Sequence, residues 1–154
     1  MYSEKDFQFY VKNLTSDDLE DIAYAVGDLT AIDAVGDERL LPLLEPLLED
    51  ERIVGMPAAP PAYCEVRWLA AKAIDKQRYL LELPPRNISR LGFIYPGSYG
   101  TMSAFATEKT GVDMMNRPRI DNTIEELEYL KKLGALPVCT SSESPYLDYS
   151  TLPK

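Results

Sequence analysis

The chain has 154 residues, 45 % hydrophobic and 27 % charged, a composition that suits one domain with its own core and excludes a wholly disordered chain. Histidine is absent, so a Ser-His-Asp or Cys-His relay is excluded and a zinc site would have to be built from two cysteines and carboxylates. The net charge of −9 is uneven: residues 1–51 carry 14 acidic against three basic side chains, while residues 52–154 carry 11 acidic against 13 basic, a field that repels phosphates and anionic lipid and attracts basic proteins.

Residues 1–7, Met-Tyr-Ser-Glu-Lys-Asp-Phe, lack the basic stretch and apolar run of a secretory signal, and no segment approaches the ~20 apolar residues of a membrane span. Cys64 and Cys139 lie far apart and outside any Cys-x-x-Cys pair. Together these features predict reduced thiols and a cytoplasmic location.

In chain order, Thr15-Ser16-Asp17-Asp18 places a hydroxyl three residues before a carboxylate and predicts a helix start. Leu19, Ile22, Val26, Leu29, Ile32 and Val35 form one apolar stripe behind it, which predicts a helix over 17–35 or two pieces broken at Gly27-Asp28. Gly36-Asp37 supplies a stop and a new cap. Residues 38–50 carry leucines at 40, 41, 43, 44, 47 and 48, and Pro46 predicts a kink in that helix. Residues 52–63 hold three prolines and a glycine and predict a loop.

The helical pattern resumes at Cys64 and is expected to run to about Leu81, with Val66, Leu69, Ala70, Ala73 and Ile74 on one side and an end before Pro84-Pro85. Residues 84–120 lack periodicity, with a turn cluster at 95–100 and short strands or a helix around 102–108. Thr123-Ile124-Glu125-Glu126 reads as a capping box, Leu127, Leu130 and Leu133 as a stripe, and Gly134 as the stop. The expected fold is mainly α in a single domain, 1–154. Its helical part is 15–81, and its loop-rich part, 82–154, has a helix near 124–133 and an irregular tail.

Gly36-Asp37-Glu38-Arg39-Leu40-Leu41-Pro42-Leu43-Leu44, followed by Glu65-Val66-Arg67-Trp68-Leu69-Ala70-Ala71-Lys72-Ala73-Ile74, resembles a HEAT-type helical repeat of the short bacterial kind. The likeness spans about one to one and a half repeats in residues 17–81. It implies antiparallel helix pairs of the α-α superhelix type, in which alanines allow close approach and leucines fill the gap to the next pair. It also implies a structural role for Arg67, paired with an acid in a neighbouring repeat; Trp68, the only tryptophan, is expected in the core.

The acids Asp17, Asp18, Glu20, Asp21 and Asp28 lie mostly off the apolar stripe, and Glu38, Glu45, Glu49, Asp50 and Glu51 extend the negative character along the next segment. They read either as a docking face for a basic partner or as a solubilising surface. Tyr95 and Tyr99, with Phe93 and Phe105, read either as a recognition surface or as plain packing. The glycine-rich stretch 97–101 lacks the lysine and spacing of a phosphate loop, and the basic spots Arg117-Pro118-Arg119 and Lys131-Lys132 are too small for a nucleic-acid footprint.

No catalytic, metal or cofactor residues are expected, and neither nucleic acid nor membrane is an expected partner. The expectation is a non-enzymatic protein-binding module, an immunity- or antitoxin-like inhibitor that covers a basic toxin domain. The alternatives are a scaffold or assembly subunit, and a lyase-type accessory in which Cys64 or Cys139 would be reactive.

Overall fold

Ser3 accepts a hydrogen bond from the Asp6 amide at 3.1 Å and opens a helix, α1 (Glu4–Leu14), that no apolar stripe announces because it buries only Tyr10 and Leu14. The computed structural model describes residues 1–56, 61–94, 96–111 and 122–140, and these are mainly helical with one small sheet. Thr15 closes α1, its hydroxyl donating to the Val11 carbonyl at 2.6 Å. The cap of the next helix, α2 (Leu19–Leu29), is Asp18, which accepts from the Glu20 amide at 2.9 Å.

Gly27 stays helical, and α2 ends at Thr30, whose hydroxyl and amide both donate to the Gly27 carbonyl, at 2.8 and 3.1 Å. The expected extension to residue 35 is thereby corrected: Ile32 is 79 % exposed and Val35 39 %. A local side-chain bond replaces the next turn of helix, and the stripe stops at Leu29.

The leucine-rich segment winds as a 3-10 turn (Glu38–Leu40), one α turn, α3 (Leu41–Leu44), and a second 3-10 stretch (Glu45–Glu49). Pro46 has no amide to continue the α ladder, so the chain tightens to 3-10 winding where a kinked α-helix was expected. Leu40, Leu44 and Leu47 are buried.

Residues 52–63, expected as a loop, contain strand β1 (Ile53–Met56) and the start of β2 (Ala62–Glu65), which pair antiparallel. The breakers Pro57, Pro60 and Pro61 fall between the strands, and the two runs they separate are free to pair. Strand alternation then does something no loop can. Ile53 and Tyr63 face one apolar cluster, with Met102, Leu127, Leu130 and Leu136, while Val54 and Cys64 face the other, which holds Leu29, Leu44, Trp68 and Ile74. The hairpin is a partition shared by two cores.

Helix α4 (Val66–Leu80) follows directly and is buried on most of its circumference, Trp68 and Ala71 as well as the expected stripe. A two-residue strand, β3 (Gly97–Ser98), adds to β2 and gives the order β1-β2-β3. Helix α5 (Tyr99–Thr110) takes the helical one of the two alternatives expected around 102–108 and runs beyond it at both ends; Ser98 caps it by accepting from the Thr101 amide at 3.1 Å. Helix α6 (Thr123–Lys132) is capped by Asn122, not by Thr123 as the capping-box reading had it, and Gly134 follows with φ +64°. Of the expected tail from residue 138, only 138–140 belong to the described residues.

Three buried polar groups join these parts. Asp37 accepts from the Tyr2 and Arg39 amides, both at 3.1 Å, and from the Arg39 guanidinium at 2.7 Å, while its own amide donates to Gln77 of α4 at 2.8 Å. A side chain at Gly36 would stand 3.0 Å from the Leu80 Cβ, so this turn meets α4 only as glycine. Glu65 lies between the two cores and accepts from Arg67 at 2.8 Å, from Lys131 of α6 at 3.3 Å and from the Ile94 amide. Arg90, fully buried, donates to Asp75 of α4 at 2.7 Å.

Hydrogen bonds from Arg39, Arg52 and Arg86 hold Asp37, Asp50 and Glu45 below the ordinary carboxylate range. A lowered folded-state pKa contributes stability above the unfolded value of about 4 and loses it as pH falls through the folded one. Burial raises Asp75, which acts in the opposite sense. Three groups against one should lower the urea midpoint as the pH is taken from 5 toward 2; an unchanged midpoint would contradict these pairings.

Candidate partner-binding surface

Concave regions lie before and along strand β1. Before it, a shallow groove of about 540 Å³ is lined by Pro46, Glu49, Asp50, Glu51, Arg52, Glu128 and Lys131. Arg52 is held by Asp50 at 2.7 Å and also feels the charges of Asp17 and Glu128, so the start of α2 and the face of α6 contribute to one acidic neighbourhood. Along β1, two further grooves share Glu20 and Gly55. One, of about 240 Å³, includes Leu19, Ile53, Tyr63 and Ile124; the other, of about 480 Å³, includes Asp21, Tyr24, Met56 and Pro61. Among the described residues lining these two there is no basic side chain.

The expected docking residues divide by what each already does. Asp17 is exposed and precedes α2, so it does not share a helical face with Asp21 and Asp28. Asp18 is the helix cap, Asp21 accepts from the Ser16 hydroxyl at 2.8 Å, and Asp28 accepts from the Tyr10 hydroxyl. Glu45 is ion-paired with Arg86, and Glu49 lines the groove before β1. Tyr99 donates to the buried Glu126 at 2.8 Å and packs on the second core. Tyr95 lies outside the described residues. The acids of α2 and those before β1 thus line separate grooves, linked by the charge of Asp17 on Arg52, and Tyr99 lines neither.

Arg67 bonds Glu65, reaches Glu51 at 3.3 Å and stacks over the Phe93 ring at 4.3 Å; Trp68 is 1 % exposed. Glu20 lines both grooves along β1 and Tyr24 the larger of them, positions that charge counting did not single out. Tyr24, 61 % exposed, stands edge-on to the exposed Phe9 ring at 6.2 Å. Its position was legible, since it sits off the apolar stripe two residues past Ile22. What it faces was not, because α1 was not foreseen.

Neither cysteine occupies a reactive setting. Both are buried, and burial pushes the Cys64 thiol up to about 12. In the folded chain at pH 8, Cys64 should react with a disulfide reagent at least tenfold more slowly than in urea. Equal rates would restore the reactive-thiol alternative. Among the described residues no group of three or more His, Cys, Asp or Glu side chains could hold a metal, and no helix is long and apolar enough to cross a membrane. No protein-family model, curated protein or solved structure matches the chain.

Proposed function

We propose that this chain is a non-enzymatic protein-binding module that takes a basic protein partner on the surface around β1, in the manner of an immunity- or antitoxin-like inhibitor in the cytoplasm. The observation that carries the reading is the coincidence of concavity and charge: Glu20 and Asp21 line a groove of about 480 Å³, Glu49, Asp50, Glu51 and Glu128 outnumber Arg52 and Lys131 in the one of about 540 Å³, and Asp17 lies close enough to act on Arg52. A fixed field of one sign accelerates encounter with an oppositely charged partner and fades with salt. The packing of the leucine-rich segment and α2 against α4 supports a HEAT-like helix pair as the scaffold, with the hairpin inserted between its halves.

The test begins with capture from lysate at 50 mM salt, identification of the retained protein, and measurement of its association rate with purified chain. Asp17→Lys combined with Glu49→Lys should slow association at least tenfold at low salt, and raising salt to 0.5 M should do the same to wild type. A partner that binds both proteins equally, or is indifferent to salt, would sink the reading. A stable homo-oligomer with no other partner would favour the assembly-subunit alternative.

A further inference from the structure

Strand β1 is an edge strand, and its register decides which of its peptide groups are open. The Val66 amide donates to the Arg52 carbonyl at 3.0 Å, so Arg52, Val54 and Met56 direct their peptide groups toward β2 and Ile53 and Gly55 direct theirs away. The outward Ile53 amide is taken by Glu128 at 2.7 Å. Gly55 therefore presents its peptide groups where the two grooves along β1 meet. Its lack of a side chain also leaves room for Tyr63. A Cβ there would stand 3.1 Å from the Tyr63 ring, which lies across it from the neighbouring strand.

The trench on either side has a consistent character. Its walls are apolar, from Leu19, Ile53, Tyr63 and Ile124 at one end to Tyr24 and Met56 at the other, and its charges are Glu20 and Asp21. Edge strands with a bordering groove bind extended peptides, in which backbone bonds supply affinity and alternate side chains supply selectivity.

We propose that the trench between α2 and β1 binds an extended segment of a basic protein partner, hydrogen-bonded to the Gly55 backbone and carrying an arginine or lysine between Glu20 and Tyr24. This deepens the function proposed above and rests on it. The charge of the trench selects the occupant. A second copy of the chain would bring a net charge of −9 to an acidic wall, and the chain's own last 14 residues hold two acids and one base. An arginine or lysine gains both the Glu20 carboxylate and the face of the Tyr24 ring.

The probe is an eight-residue peptide alternating valine and arginine, compared with its valine-glutamate counterpart and with a version N-methylated on alternate residues. Binding is followed by fluorescence anisotropy, and hydrogen exchange at the Gly55 amide by NMR, on the full chain. The cationic peptide should slow Gly55 exchange at least tenfold. Its affinity should fall at least tenfold with Glu20→Lys, not with the exposed control Glu38→Lys, and the acidic and N-methylated peptides should bind at least tenfold more weakly.

Binding that leaves Gly55 exchange unchanged, that tolerates N-methylation or that is indifferent to Glu20→Lys would overturn the inference. So would concentration-dependent protection of Gly55 without peptide, which would make a second copy the occupant. If the captured partner still loses affinity with Asp17→Lys and Glu49→Lys while the peptide fails, the docking mode alone is wrong. If the partner is also indifferent to charge and salt, both proposals fall.

Discussion

Replacing Arg90 by leucine is expected to cost about 3–5 kcal/mol, because it leaves the Asp75 carboxylate buried and without the cation that compensates it. Desolvation already raises Asp75 in the folded state, and removal of Arg90 raises it further. The folded variant then holds a proton that the unfolded chain has released above about pH 4, so its stability falls as pH rises through that window. The deficit relative to wild type should therefore be smaller at pH 4.5 than at pH 7, values set by the ordinary carboxylate pKa of about 4. Urea denaturation at the two pH values checks this directly. Replacing both Asp75 and Arg90 by leucine should recover most of the loss, since no uncompensated charge is left behind. An Arg90→Leu midpoint equal to wild type would show that the pair contributes nothing.

Trp68→Ala should cost a similar amount, about 3–5 kcal/mol, through the lost transfer energy and the cavity left in the larger core. Domains of this size are stable by only about 5–15 kcal/mol, so the urea midpoint should move by about a fifth or more of its value. The two substitutions are not independent, because the Arg90 guanidinium lies 5.4 Å from the Trp68 ring centroid. A double-mutant cycle should return a coupling of about 0.5–2 kcal/mol. Strict additivity would mean that the contact carries no energy.

These two residues also measure how far sequence reading reached. Trp68 as core was legible, because a lone tryptophan beside alanines in a helical run has few other places to go. Arg90 was not, since it follows two prolines in an aperiodic stretch where a basic residue ordinarily meets solvent. Glu65 stood in the repeat-like motif as part of a turn, and its place between two cores depends on Ile94 and Lys131, which arrive from remote parts of the chain. One clue was available for α4: its stripe, with Trp68 and Ala71 added, covers most of a helical wheel, which marks a helix packed on several sides.

The acidic surface shows the same division. That residues 1–51 are negative is a matter of counting, and Asp18, Glu20 and Glu49 were placed correctly on exposed positions. Counting could not distinguish Glu20, which borders two grooves, from Asp28, which is engaged by Tyr10. Nor could it foresee the strand that gives the surface its shape. The prolines of residues 57–61 argued for a loop, and they do lie between the paired runs.

The sequence by itself determined the helical class, the helical course of the leucine-rich and alanine-bearing segments, the cap at Asp37, the stop at Gly134, and the sign of the surface. All of these are set by residues within a turn or two of one another, where periodicity, capping chemistry and charge act locally. Only the tertiary structure decided that the proline-flanked runs pair into a hairpin between two cores, that Glu65, Asp75 and Arg90 go inside, and that Glu20 and Asp21 border the grooves along β1 while Glu49, Asp50 and Glu51 border the one before it. Strand pairing and buried ion pairs join residues far apart in the chain, and their energies depend on desolvation that no local spacing encodes.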